Sequence, residues 1–263
     1  MSKARYSIGI DLGTTNCALA YASIDEESST SQIVSIGQWD SATSLIESET
    51  LPSFLYLPAK EEATQLRGKS KGGDWILGQF ARNQTVAQPG RVVLSAKSWL
   101  STPVVDPTTA FLPWGSDQVS DRDKISAVCA SSLLLNYLRS AWNESFDAKF
   151  DDQEITITVP ASFDAAAQRL TLRAAQEAGF PSDVRLLEEP QAAFYRWLEA
   201  NADSNALTDA LPELSRRSHN IAVVDIGGGT SDFSLFEVRL RKNRKLPDIK
   251  RIAVSDHILL GGD

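Results

Sequence analysis

The sequence predicts an α/β fold built from two related halves. Three observations carry that reading. Two stretches far apart, "IGIDLGTTNCALAYA" and "AVVDIGGGTSDFSLF", share one grammar: an apolar run, an aspartate, an aliphatic residue, a Gly-rich turn with threonine, then an alternating strand. Between them, strand-like runs are interleaved with segments of helical period. The polar, turn-rich stretch "NADSNALTDALPELSRRSHN" separates the first group of elements from the second hairpin and marks a boundary.

In chain order, Arg5 to Asp11 is a short apolar run. "GTT" turns it into "NCALAYA", where Cys17, Leu19 and Tyr21 alternate with alanine, so the pair reads as a hairpin. "SQIVSI" is a third strand. "ESETLPSFLYL" is a loop entering a strand, and "PAKEEATQLRGKSKGGD" is an exposed loop. "WILGQFARNQTVAQPG" is a short strand and a helix. Residues 101 to 120 form a proline-bearing irregular stretch. Ile125, Val128, Leu135, Leu138 and Trp142 recur at helical spacing and predict a long helix. "EITITVP" alternates and stops at Pro160. The next helix has Ser162 as its expected N-cap and Gly179 as its stop. "EEPQAAFYRWLEANA" is another helix, with Pro190 near its start. After the second hairpin, "RLRKNRKLPDIKR" is a solvated hairpin tip and "IAVSD" a last strand.

Composition narrows the function classes. The chain has 263 residues, 42% hydrophobic and 23% charged, with a formal net charge of −8. Such an acidic chain is poorly suited to non-specific binding of nucleic acid or acidic membranes. The expectation is no nucleic-acid partner and no membrane partner. The two cysteines, Cys17 and Cys129, form no CxxC pair, so neither a disulfide framework nor a zinc site is suggested. "MSKARYSIGID" lacks the apolar core of a signal peptide, and no run of about 18 apolar residues occurs. The reading is a cytoplasmic protein.

The hairpins point to phosphate chemistry. Glycine weakens a strand interior, so three in a row (Gly227, Gly228, Gly229) need a reason. Glycine lets a turn bring backbone N–H groups close to an anion. Thr14, Thr15 and Thr230 add hydroxyl donors, while Asp11 and Asp225 stand at the strand ends beside that anion. Carboxylates next to phosphates repel unless a cation intervenes, and Mg²⁺ held through water is the natural bridge. A Walker loop is excluded, because neither turn carries the GK[ST] ending.

At this point the sequence resembles a known family. The two hairpins look like the phosphate motifs of the actin, sugar-kinase and Hsp70 ATPase superfamily. "LPSFLYL", "ILGQFARNQTVAQPGRVVLSAKSWL", "ITVPASFDAAAQRLTLRAAQEAGF", "LLEEPQAAF" and "HILLGGD" narrow the resemblance to Hsp70 (DnaK-like) chaperones, in the family's order and over nearly the whole chain. It implies an actin-like ATPase (ribonuclease H-like) fold that binds ATP or ADP with Mg²⁺.

The resemblance also implies roles. Lys97 falls on the catalytic lysine that helps hold the γ-phosphate and attacking water, although alone it would read as an exposed lysine. Glu189 falls on the connector glutamate that engages the magnesium-bound water shell. Alone it would be a helix N-terminal acid favoured by the dipole. Asp11 and Asp225 match carboxylates around Mg²⁺, and Asp232 matches a further aspartate of the second hairpin. Gly13, Thr14, Thr15, Asn16, Gly227, Gly228, Gly229 and Thr230 match the phosphate-lining turns. Pro160 matches a proline linked to signalling between domains. Glu188 replaces the usual Asn and Gln191 the usual Thr. "PASFDAAAQR" carries one residue more than the usual spacing, so the family's arginine in that helix is not carried onto Arg169. These departures imply a divergent branch.

The resemblance divides the chain into residues 1–202 as a complete lobe I, with a subdomain inserted over about residues 40–125, residues 203–219 as a connecting loop, and residues 220–263 as the start of an incomplete lobe II. It implies a chaperone ATPase whose hydrolysis controls binding of client polypeptides, with J-domain and nucleotide-exchange co-chaperones as partners. Two other readings remain open here: a sugar kinase of the same fold, and an inactive actin-like or Hsp70-like scaffold.

Overall fold

The computed structural model describes residues 4–26, 29–66, 68–69, 73–201, 218–227, 231–239 and 248–255. The chain divides into two compact units, residues 1–157 with 163–186, and residues 158–162 with 187–263. The expected connecting loop, the basic "RLRKNRKL" stretch and the "HILLGGD" stretch fall wholly or mostly outside the described residues.

The first hairpin forms as the alternation predicts. β1 (Tyr6–Leu12) and β2 (Asn16–Ser23) pair antiparallel in unbroken register, with Asp11 opposite Ala18 and Leu12 opposite Cys17. The expected third strand is split into β3 (Gln32–Ile33), which pairs with β2, and β4 (Ile36–Trp39), which pairs with β5 (Leu45–Ser48). "LPSFLYL" becomes β6 (Leu51–Pro52) on β2 and β7 (Phe54–Tyr56) in a separate sheet. The expected exposed loop after it holds a short helix, α1 (Lys60–Ala63), and Leu66 behind it is buried against Tyr56 and Phe80. The apolar contact available to Leu66 outweighs the polar composition around it.

β8 (Ile76–Leu77), α2 (Gln79–Asn83) and β9 (Val92–Leu94) follow, and a three-stranded sheet runs β8-β7-β9. Between β8 and α2, Gly78 has φ +82, and a Cβ there would lie 2.7 Å from Gln38 Oε1 and from Leu51 Cδ1. Only glycine fits that turn. Gln38 itself is fully buried but satisfied: its Oε1 accepts from Gln79 N (2.9 Å), and its Nε2 donates to Thr50 O (2.8 Å).

The long helix is α3 (Ala127–Ser145), capped by Ser126, whose side chain accepts from Cys129 N. Its Trp142 is fully buried, and Tyr6, Tyr21 and Phe146 surround the indole. β10 (Glu154–Val159) ends at Pro160. α4 (Ala165–Glu177) starts later than expected. Its N-cap is Asp164, not Ser162, because the Asp164 carboxylate accepts from both Ala166 N (2.9 Å) and Ala167 N (2.8 Å). The helix closes at Ala178, and Gly179 follows with φ +79. β11 (Arg185–Glu188) completes a sheet of order β11-β10-β1-β2-β3, with β6 beside β2.

The second unit holds α5 (Glu189–Ala200) and an antiparallel sheet of β12 (His219–Ile226), β13 (Ser231–Arg239) and β14 (Asp248–Val254). Phe194 and Leu198 of α5 pack on Ile221, Val223, Phe236, Val238 and Ile249. This is one face of the sheet. On the other face Val224, Ile226 and Phe233 are exposed, and Ile252 in the bulge of β14 and Val254 at its end are exposed as well.

Candidate functional site

One candidate site is the β1–β2 turn. Gly13 approaches the backbone of Asn16 so closely that a Cβ would sit 2.0 Å from its carbonyl oxygen. The turn is pinned from below by Ser53. Its hydroxyl donates to Gly13 O (2.7 Å) and its N–H to Thr15 O (2.8 Å). These bonds occupy the two carbonyls, which suits a turn that presents donors to an anion. Sequence reasoning did not nominate Ser53. The signal was its place in "LPSFLYL", directly after the Pro52 that pairs with Asn16.

Asp11 stands one pair before the closing pair of the turn, Leu12–Cys17. Cys17 is fully buried, and its Sγ lies 3.3 Å from Ser53 Oγ in a hydrogen bond. Burial pushes the thiol up to about 11, the Ser53 bond and Lys97 pull it down, and Asp11 pushes it up. Asp11, Gly13 and Lys97 thus all act on one thiol, so the first turn and Lys97 belong to one neighbourhood. Lys97 is 6% exposed, against the solvent-facing lysine that its isolated sequence context suggests. It lies in a 3₁₀ turn over Ala96–Ser101, packed by Ala96 and Leu100, and Ser95 enters that turn at φ +54. A non-glycine residue in the left-handed region marks a backbone held against its preference, a feature that gathers at functional sites.

The thiol reading has a direct test. The folded thiol titrates above its ordinary 9.0, so its contribution to stability is complete below pH 9 and is lost as pH rises toward about 11. The thermal midpoint of the wild type is expected to fall more steeply between those values than that of Cys17→Ala. Alkylation at pH 8 should label the half-buried Cys129 first and Cys17 only on unfolding. Rapid labelling of native Cys17 would overturn this.

A second candidate site lies in the other unit. β12 and β13 repeat the pattern of the first hairpin: Asp225 is again one pair before the turn, and it stands directly opposite Asp232. Asp232 is buried, and alternation places both carboxylates on the face of the sheet that α5 covers. Like charges opposite each other in a sheet are unfavourable. A cation held through water is one group that such a pair of carboxylates could accept. Gly227 is described, whereas Gly228, Gly229 and Thr230 lie outside the described residues.

Glu189 is the first residue of α5, preceded by Glu188 at the N-cap and followed by Pro190. Glu188 does not cap the helix with its side chain. Its carboxylate instead meets Arg251 Nη1 at 2.6 Å, and the same nitrogen donates to Ala161 O at 3.0 Å. Arg251 was not foreseen, since no sequence signal linked β14 to the start of α5. Among the described residues no cluster of three or more metal-ligating side chains occurs, and no helix is long and apolar enough to cross a membrane.

Comparison with known proteins agrees in kind. The family model for Hsp70 protein matches residues 69–242. The chain is 30% identical over 270 residues to the chaperone protein HscA of Photorhabdus laumondii, covering 98% of this chain and 36% of that protein. It is 26% identical over 269 residues to the chaperone protein HscA homolog of Pseudoalteromonas atlantica, again covering 98% and 36%. The chain therefore spans about a third of the length of the curated relatives it matches.

Proposed function

Because the chain belongs to the Hsp70 family, whose fold is the actin-like ATPase fold, we propose that it is the nucleotide-binding part of a chaperone that hydrolyses ATP. The observation that carries this is the equivalence of the two hairpins. Each sets an aspartate one pair before a Gly-bearing turn, in the same antiparallel register. Each turn contacts phosphate oxygens, through Gly13, Thr14, Thr15 and Asn16 in the first and Gly227, Gly228, Gly229 and Thr230 in the second.

Lys97 holds the γ-phosphate and orients the attacking water with a charge already stripped of solvent. Glu189 accepts hydrogen bonds from water around the metal, and Asp11, Asp225 and Asp232 supply the negative charge that retains it. Mg²⁺, when bound, neutralises the phosphate oxygens. The protein's work is positioning and charge neutralisation, with no covalent intermediate.

In the whole protein, hydrolysis controls the binding of client polypeptides in the cytoplasm, with J-domain and nucleotide-exchange co-chaperones as partners. Residues 1–202 act as lobe I, residues 203–219 as a connection and residues 220–263 as the first part of lobe II.

Titration calorimetry with ATP and Mg²⁺ tests the reading, on this chain and on a polypeptide of its relatives' full length. The expected result is micromolar or tighter binding by the longer polypeptide and weaker binding by the 263-residue chain. Absence of binding in both would overturn the ATPase reading in favour of an inactive scaffold.

A further inference from the structure

The unusual feature of the second unit is one guanidinium that joins three segments. Arg251 lies on β14, and its place there depends on a fault in the sheet. Ser234 pairs with Val254 and Leu235 with Ala253, but the register then shifts, and Phe236 pairs with Arg251. Continued regular pairing would have set Ile252 opposite Phe236 and Arg251 opposite Glu237. The bulge takes up Ile252 and turns Arg251 to the side of Phe236, the side that α5 covers. From there Arg251 Nη1 reaches both the Glu188 carboxylate (2.6 Å) and the carbonyl oxygen of Ala161 (3.0 Å).

Glu188 reinforces the point. Glutamate is not among the residues whose side chains cap a helix well, which leaves its carboxylate for other partners. Here it makes no capping bond and faces Arg251. The helix start is fixed by an ion pair to the sheet rather than by a local cap. Its next residue is Glu189, and the residue before Ala161 is Pro160.

We propose that Arg251 is a positioning residue that clamps the Pro160–Ala161 segment to the Glu188–Glu189 step and so holds the Glu189 carboxylate where it works. This rests on the reading of Glu189 given above.

The test is steady-state ATP hydrolysis by the polypeptide at its relatives' full length, comparing R251M, E188Q and the charge swap E188R/R251E, with E189Q alongside. R251M and E188Q are each expected to lower kcat about 10- to 100-fold, the scale of a small misplacement of a positioned group. KM should stay within about twofold, which separates lost positioning from lost binding. The swap should recover part of the loss. If R251M does not fold, E188Q decides, since it removes only the charge. Wild-type kcat in E188Q, with turnover lost in E189Q, overturns the clamp and leaves the function standing. Wild-type turnover in E189Q overturns the role of Glu189 and takes the clamp with it.

Discussion

Replacing Lys97 with alanine is expected to lower ATP turnover of the full-length polypeptide by about 100- to 1,000-fold, the usual cost of removing one preorganised charge from a reacting centre. The argument begins with burial. A lysine that is 6% exposed carries a desolvation cost, and a protein selected for stability alone would place an apolar residue there. Its charge, the Asp11 carboxylate and the Gly13 backbone all act on the Cys17 thiol. The backbone of Lys97 is entered through the left-handed Ser95. The fold should survive the change, with the thermal midpoint moving by no more than about 4 °C, since alanine suits the same 3₁₀ turn. Single-turnover hydrolysis with thermal melting of the same sample checks both halves. Unchanged turnover would remove Lys97 from the chemistry. Full unfolding would make it a structural ion.

The second large effect is on stability. Trp142→Ala is expected to cost about 3–5 kcal/mol, the range for emptying a buried aromatic site. Trp142 is wholly buried, stacks on Phe146 at 4.0 Å with an interplanar angle of 13°, and meets Tyr6 and Tyr21 edge-on at 5.5 Å and 5.7 Å. These rings come from β1, β2, α3 and the C-cap residue of α3, so one indole joins the helix to the first hairpin. Its Nε1 also donates to Ala148 O at 2.6 Å, and truncation orphans that carbonyl. Trp142→Phe keeps most of the contact and should cost about 1 kcal/mol for the lost hydrogen bond. Denaturant unfolding of the two variants reads the difference directly. Equal and small losses would refute the packing argument.

How much of this was legible in the sequence depends on the range of the interaction concerned. The hairpins, the long helix and α5 were readable because their periods and turn residues are local. The Asp225–Asp232 pairing was half readable: both residues stood in one motif, but only the register shows that they face each other. The N-cap of α4 was misplaced by two residues, because Ser162 and Asp164 are both good caps and the difference lies in which one reaches the N–H groups. The split of "SQIVSI" depends on two different partner strands, which no local pattern encodes. Ser53 and Arg251 act across 40 and 90 residues of chain, on Gly13 and on Ala161 respectively. Their side chains are ordinary in sequence and acquire a role only when the fold closes those distances. The burial of Lys97 belongs to the same class.

The sheet of the second unit is covered by α5 on one face, while Val224, Ile226 and Phe233 on the other remain in water. Apolar surface already hydrated in the folded state adds nothing to the heat-capacity increment of unfolding. Among the described residues, this sheet therefore adds less to that increment than a sheet covered on both faces would, and its contribution to stability varies the less with temperature.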